Sequence, residues 1–418
     1  MFLLFNITVF LIPFIYFLLN KKLLSSSIIF IYLLSSFFSL ILYLNDSESY
    51  KNLNVLGFFI FYFLLFSSLL PIFAFNENKI SEIKNIKIKY LNIVCVFLII
   101  INIPSLVDII YGVINNLKML SFNYSFFSDK YIENRIDSLS KTSQGYNYLS
   151  IFRNITSHIC LFILFYLFTL PKKNRYIVIL LIFISFSFIL QVFVGGHRSN
   201  FFVTLFNIVI LYIIFRRYYD LKIKRIVNLF LTFMIFVSVL LVLIVTASRF
   251  SQNRDINPQD SVISYAGQST LNFNKYIFVN TVNQYGDGTA PIFRRILGLE
   301  SSSSLYERQD RWGASMEIKQ GAFYTFIGDI WFDFGPLISI IILIIIPLFI
   351  RFLTLESYLI PLHKLFALYM WASICCSGVF YFTYKTIGGN LILISSILFY
   401  LLLYFLNLLQ CSEKNYES

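Results

Sequence analysis

Apolar runs of about 17 to 25 residues recur from residue 2 to residue 409, each long enough to cross a hydrocarbon core of about 30 Å at 1.5 Å per helical residue. A chain patterned this way folds as helices in a bilayer, because lipid offers no partner to backbone N–H and C=O groups. About eleven runs (range 10–12) can be drawn: 2–20, 23–44, 53–75, 90–112, 150–170, 176–194, 200–215, 226–247, 332–350, 364–384 and 389–409. With 58% hydrophobic and 13% charged residues, an ordinary soluble domain is excluded. The expected fold class is all-α, a polytopic transmembrane helical bundle with one large and one medium extracytoplasmic loop.

The first run is followed by "KK" at 21–22 and has no small-residue cleavage site, so it reads as a retained span. Cys95, Cys160, Cys375, Cys376 and Cys411 lie in or beside spans, with no CxxC, and read as packing residues. The formal charge of +12 is scattered at span ends and forms no single stripe, which argues against nucleic acid. With alternating sides, Lys and Arg on one set of connections outnumber those on the short opposite set by roughly two to one. That bias places the amino terminus outside, the tail "CSEKNYES" in the cytosol, and the turn holding His197 and Arg198 outside.

Two outer connections are long, 113–149 and 248–331, and loops of that length usually carry function. The chain therefore divides into a bundle of about eight spans (1–247), a large extracytoplasmic loop (248–331), and C-terminal spans with a short tail (332–418). Within the large loop, "SYAGQSTLNFNKYIF" reads as a surface helix.

The turn "GGHRSN" at 195–200 admits two readings: a tight connection with interfacial cations, or a ligand site. Further arginines gather on the same expected side: Arg153 at the end of span 5, Arg249 and Arg254 after span 8, then Arg294, Arg295, Arg308 and Arg311. The positive-inside rule should deplete them there, so an anionic ligand is expected. Arginine suits a diphosphate, since its planar fork donates two hydrogen bonds and keeps its charge. Phospholipid headgroups are the competing partner.

In "RNITSHIC", Asn154 and His158 share one helical face, and His158 reads more readily as an interhelical hydrogen bonder than as a catalyst. The loop carboxylates are candidates for a general base: Asp255, Asp260, Asp287, Glu300, Glu307, Asp310, Glu317, Asp329 and Asp333. Asp329 and Asp333 are helically spaced in "GDIWFDFG", where the chain re-enters the membrane. They could serve as base or merely cap the following span. With His197 they form the catalytic candidates. Trp312, Tyr306 and Tyr324, with Tyr265 and Tyr285, could stack on sugars or sit at the interface. "NDSE" at 45–48 offers an acid-x-acid pair of a kind that arises easily by chance, and neither metal nor cofactor is expected.

In layout, with "GGHRSN" opening a span, an arginine-rich main loop and the exit "FYTFIGDIWFDFGPL", the chain resembles the Wzy-type O-antigen or capsule repeat-unit polymerases of bacteria. The resemblance implies an inner-membrane glycosyltransferase that joins undecaprenyl-diphosphate-linked oligosaccharides, serving as donor and acceptor, with inversion and without a metal. It also implies membrane lipid and a chain-length regulator protein as partners. Arg198 stands where the family has a glycine-x-arginine before a span, and Asp333, Phe334 and Gly335 where it has an aspartate-aromatic-glycine. "AFYTFIGD" lacks the histidine that the related ligases carry at this exit, which argues against a ligase, and eleven rather than twelve spans is a further departure. Another polyprenyl-dependent membrane glycosyltransferase or an O-antigen ligase, and a lipid-linked oligosaccharide flippase, are the alternatives.

Overall fold

The computed structural model describes residues 2–122, 148–195, 198–250, 258–279, 283–302, 305–313, 322–354 and 358–416. The helices in chain order are α1 (Phe2–Leu19), α2 (Leu23–Asn45), α3 (Val55–Ala74), α4 (Ile88–Phe122), α5 (Tyr148–Thr169), α6 (Arg175–Gly195) and α7 (Arg198–Phe215). There follow α8 (Leu221–Phe250), α9 (Pro258–Tyr276), α10 (Pro291–Ile296), α11 (Leu305–Trp312), α12 (Thr325–Leu353), α13 (Leu362–Ser377) and α14 (Ile387–Tyr416). Strands are confined to Glu82–Lys84 and Leu359–Pro361 among the described residues. The all-helical, membrane-embedded class is as expected. Among the described residues, six helices are long and apolar enough to cross a bilayer.

The chain forms two compact units. One comprises 1–81, 257–360 and 367–391; the other comprises 82–256, 361–366 and 392–418. In the second unit, α4 packs against α5 and α6, and α5 packs against α7. The buried rings of Phe162, Phe215, Phe366 and Phe399 meet edge to face along this core, the arrangement that ring quadrupoles favour.

In the first unit α2 is flanked by α1 and α9, and α3 packs against α12. Tyr32 of α2 is stacked on Phe10 and donates its hydroxyl to the Cys375 carbonyl at 2.7 Å. Cys95, Cys160, Cys375 and Cys376 are buried and unbridged.

The segment read as a surface helix is α9, and its residues 269–274 are buried, while Tyr265 stays exposed. Ser35 and Ser39 of α2 donate to the carbonyls of Ala266 and Gly267 at 2.8 and 2.6 Å. The backbones approach so closely that a Cβ on Gly267 would lie 2.5 Å from the Phe38 carbonyl oxygen. Small residues at a seam with serine hydroxyls across it are the means by which helices associate in lipid. At its far end α9 reaches the start of α3, where Asn274 exchanges two hydrogen bonds with the Asn54 backbone, 2.6 and 2.7 Å. Its polar side chains are compatible with burial because Asn272 donates to the Phe323 carbonyl and Asn274 pairs with the Asn54 backbone, contacts between segments far apart in the chain.

The ninth run, 332–350, also differs from a simple span. Gly335 interrupts α12 with φ 75° and ψ 171°, followed by Pro336. Ser339 Oγ then donates to the Ile330 carbonyl at 2.9 Å. In a straight helix those residues would be about 13.5 Å apart along the axis. The first ten residues of α12 therefore fold back on the beginning of the rest. The tenth run, 364–384, is cut short as well, since α13 ends at Ser377. Gly378 there lies against Phe326, whose N–H donates to the Gly378 carbonyl at 2.8 Å.

Candidate functional site

The first unit carries a polar assembly built from the turn 283–290, α10, residues 297–302, α11 and the folded-back start of α12. Asp333, 2% exposed, is one of its two centres. One of its carboxylate oxygens accepts from the Gly286 and Gly288 N–H groups, both at 3.1 Å. The other accepts from the Thr289 N–H at 2.7 Å and from the Thr289 hydroxyl. The Asp333 carbonyl accepts from the Tyr285 N–H at 2.9 Å. Successive N–H groups converge on the carboxylate because the turn bends through Gly286 at φ 91°. Asp333 thus holds the turn to α12, and its oxygens face protein donors.

Asp287 is the other centre, 3% exposed, with its side chain turned to residues 302–312. It accepts from the Ser302 N–H at 2.7 Å, the Ser302 hydroxyl at 2.6 Å and the Trp312 indole N–H at 2.7 Å. Arg311 lies 3.8 Å away. Burial alone would raise its carboxyl, but these donors hold it below the usual carboxylate value. The folded value therefore lies below the unfolded one. The stability it contributes is complete above about pH 4 and lost as pH falls through the folded value. Thermal unfolding between pH 3 and 8 is expected to show a drop below pH 4 that Asp287→Asn reduces; an identical profile in the variant would refute this.

The predicted arginines separate by what surrounds them. Arg294 donates to the carbonyls of Gln284, Tyr285 and Glu300 at 2.8, 3.0 and 2.9 Å, binding the turn to the segment after α10. Arg311 sits among three carboxylates, with Glu300 at 3.4 Å and Glu307 at 3.8 Å besides Asp287. Arg295 is exposed and reaches the Ser301 hydroxyl at 2.6 Å. Arg308 donates to the Gly288 carbonyl at 3.3 Å and lies within electrostatic reach of Asp333. Its Nε is buried and has no hydrogen-bond partner among the described residues.

Asp329, one turn before Asp333, pairs with Lys385 at 3.1 Å and accepts from the Phe382 N–H at 2.6 Å. Tyr324 is buried against Tyr276 and Phe332, whereas Tyr285 is exposed. Trp312 is committed through its indole N–H to Asp287. Asp46 and Glu48 make local contacts, to the Ser49 N–H at 3.2 Å and Lys51 at 2.7 Å.

In the second unit Arg153 is 7% exposed, its Nε without a partner among the described residues, and Asp108 is within electrostatic reach. His158 Nδ1 accepts from the Asn207 side-chain amide at 3.1 Å, joining α5 to α7. Arg198 opens α7, Arg249 lies in the last turn of α8 and Tyr306 is in α11; their side chains lie outside the description. His197 and Arg254 lie outside the described residues, as do Asp255 and Glu317.

Asn390 escaped the sequence reading. Its side chain donates to the Thr289 and Tyr384 carbonyls at 2.9 and 2.7 Å and accepts from the Ile292 N–H at 3.1 Å, pinning the start of α10. A lone asparagine among apolar residues at the start of run 389–409 was the available signal.

Fold and site together define an all-helical membrane protein with an ordered polar assembly set on its apolar helices. No protein family matches the chain, and comparisons with curated proteins and with solved structures found no match.

Proposed function

We propose that this chain is a membrane glycosyltransferase, a polymerase joining undecaprenyl-diphosphate-linked oligosaccharide repeat units into O-antigen or capsular polysaccharide. It would act at the outer face of the bacterial inner membrane, with about eleven spans, the amino terminus outside and the carboxyl terminus cytosolic. The observation that carries the reading is Arg308: a guanidinium whose buried Nε has no partner among the described residues, beside Arg294, which is bonded to carbonyls, and Arg311, which is ion-paired to carboxylates. A buried donor without an acceptor carries a desolvation penalty that an anionic ligand would relieve. Breaking a sugar–diphosphate bond develops negative charge on the leaving oxygen, and a preorganised guanidinium stabilises it. Asp329 is the carboxylate proposed to take the acceptor hydroxyl proton, because one of its oxygens is met, among the described residues, only by the part-exposed, flexible Lys385 ammonium, whereas both Asp333 oxygens are held by backbone N–H groups of the turn.

Expression at matched levels in a strain whose surface polysaccharide depends on this gene tests the reading on a gel of lipid-linked glycan. Wild type is expected to give a ladder. Arg308→Ala should lower polymer on the order of a hundredfold, the loss typical of one preorganised donor, with single repeat units accumulating. A ladder unchanged in Arg308→Ala overturns the assignment of Arg308, and Arg198→Ala then tests the family-derived position. The interrupted helix α12 favours a second reading, a lipid-linked oligosaccharide flippase, since transporters build sites from broken helices. Single units trapped on the cytosolic face in the gene's absence would select it.

A further inference from the structure

The face of α9 turned away from α2 carries Tyr265, Gln268, Ser269 and Asn272, spaced so that all four lie on one side of the helix. Three observations distinguish this face from a merely structural one. Ser269 is 0% exposed, yet its hydroxyl has no hydrogen-bond partner among the described residues. Tyr265 is 46% exposed and its ring meets Phe323 edge to face at 4.9 Å, fixed in position while remaining accessible. The amides of Asn272 and Gln268 form a chain, 3.4 Å apart, anchored at the Phe323 carbonyl at 3.1 Å. Lipid would be a poor neighbour for this row. Polar side chains packed among the helices of a membrane protein face its interior or a wet cavity, and they often mark a substrate path.

We propose that this face of α9 binds the glycan of the repeat unit, which deepens the polymerase reading and rests on it for the identity of the ligand. A sugar ring has one surface of C–H bonds and an edge of hydroxyls. The C–H surface carries partial positive charge and suits the negative face of the Tyr265 ring, while the hydroxyls exchange hydrogen bonds with the half-buried Gln268 amide, a group that both donates and accepts; Ser269 and Asn272 lie buried behind them. Amides and hydroxyls are neutral, so the surface is built for sugar hydroxyls and not for the diphosphate. The glycan and the diphosphate would thus be recognised by separate groups, α9 for one and Arg308 for the other.

The test uses full-length protein in nanodiscs and the soluble oligosaccharide released by mild acid from the strain's lipid-linked repeat units, free of lipid and diphosphate. Saturation-transfer NMR is expected to show contact at ring C–H protons for wild type and for Arg308→Ala. Tyr265→Ala and Gln268→Ala should weaken the signal at least tenfold, and Tyr265→Phe should retain it, which guards against misfolding. Absence of signal in wild type, or equal signal in Tyr265→Ala and Gln268→Ala, overturns the proposal. Binding that needs Tyr265 and Gln268, in a protein that forms no polymer on the gel, would leave the glycan surface standing while the polymerase reading falls.

Discussion

Replacing Asp333 by alanine is expected to release the 283–290 turn and lower the thermal midpoint of the purified protein by about 10 °C. Three buried N–H groups and one hydroxyl lose their acceptor at once. Each unmade buried bond costs about 1–3 kcal/mol, and water entering the loosened turn recovers part, leaving a loss of about 4–6 kcal/mol. Asp333→Asn retains one acceptor oxygen but turns an amide NH2 toward donors, so it should be nearly as damaging. Trypsin should cut the variants faster at Arg294 and Arg295, which flank the released turn. A residue acting only as a general base would behave otherwise: Asp333→Asn would abolish polymer while melting and proteolysis stayed at wild-type values, and that result would overturn the structural role.

Gly335→Val should be of similar severity. The residue sits at φ 75° and ψ 171°, a region essentially confined to glycine, and a side chain there costs about 1–3 kcal/mol in backbone strain alone. A Cβ would in addition lie 2.5 Å from the Asn283 side-chain oxygen. The combined loss is about 3–5 kcal/mol, expressed as a lower melting temperature and reduced membrane yield. Gly335→Ala combined with Asn283→Ala removes the collision but keeps the strain, so it should regain about half of what Gly335→Ala loses. Full recovery in the double variant would mean that the backbone conformation is not held by the fold.

The long apolar runs were legible because length and hydrophobicity alone decide whether a segment can cross lipid. Interruptions inside runs were harder to read. "FGP" at 334–336 carries a turn signal, Gly followed by Pro, yet it lies within residues apolar enough for a continuous span. The stop at Ser377 comes from Gly378 lying against Phe326, a contact between segments far apart in the chain. The arginines were conspicuous by position but not by role. Arg294 and Arg308 look alike in sequence; only the carbonyls of Gln284 and Tyr285 make one a brace, while the Nε of the other has no partner among the described residues. Asp287 was one carboxylate among nine candidates until Ser302, Trp312 and Arg311 were seen to converge on it.

The seam between α2 and α9 bears on how the protein is made. With its many polar residues, "PQDSVISYAGQSTLNFNKY" has little tendency to enter a bilayer alone. It follows α2 in the chain, so the hydroxyls of Ser35 and Ser39 are already in place when α9 is synthesised. Burial of α9 then rests on docking against α2 and not on a partition of its own into lipid. The serine row of α2 is thereby a template for the later helix, complementary to the backbone carbonyls that α9 presents.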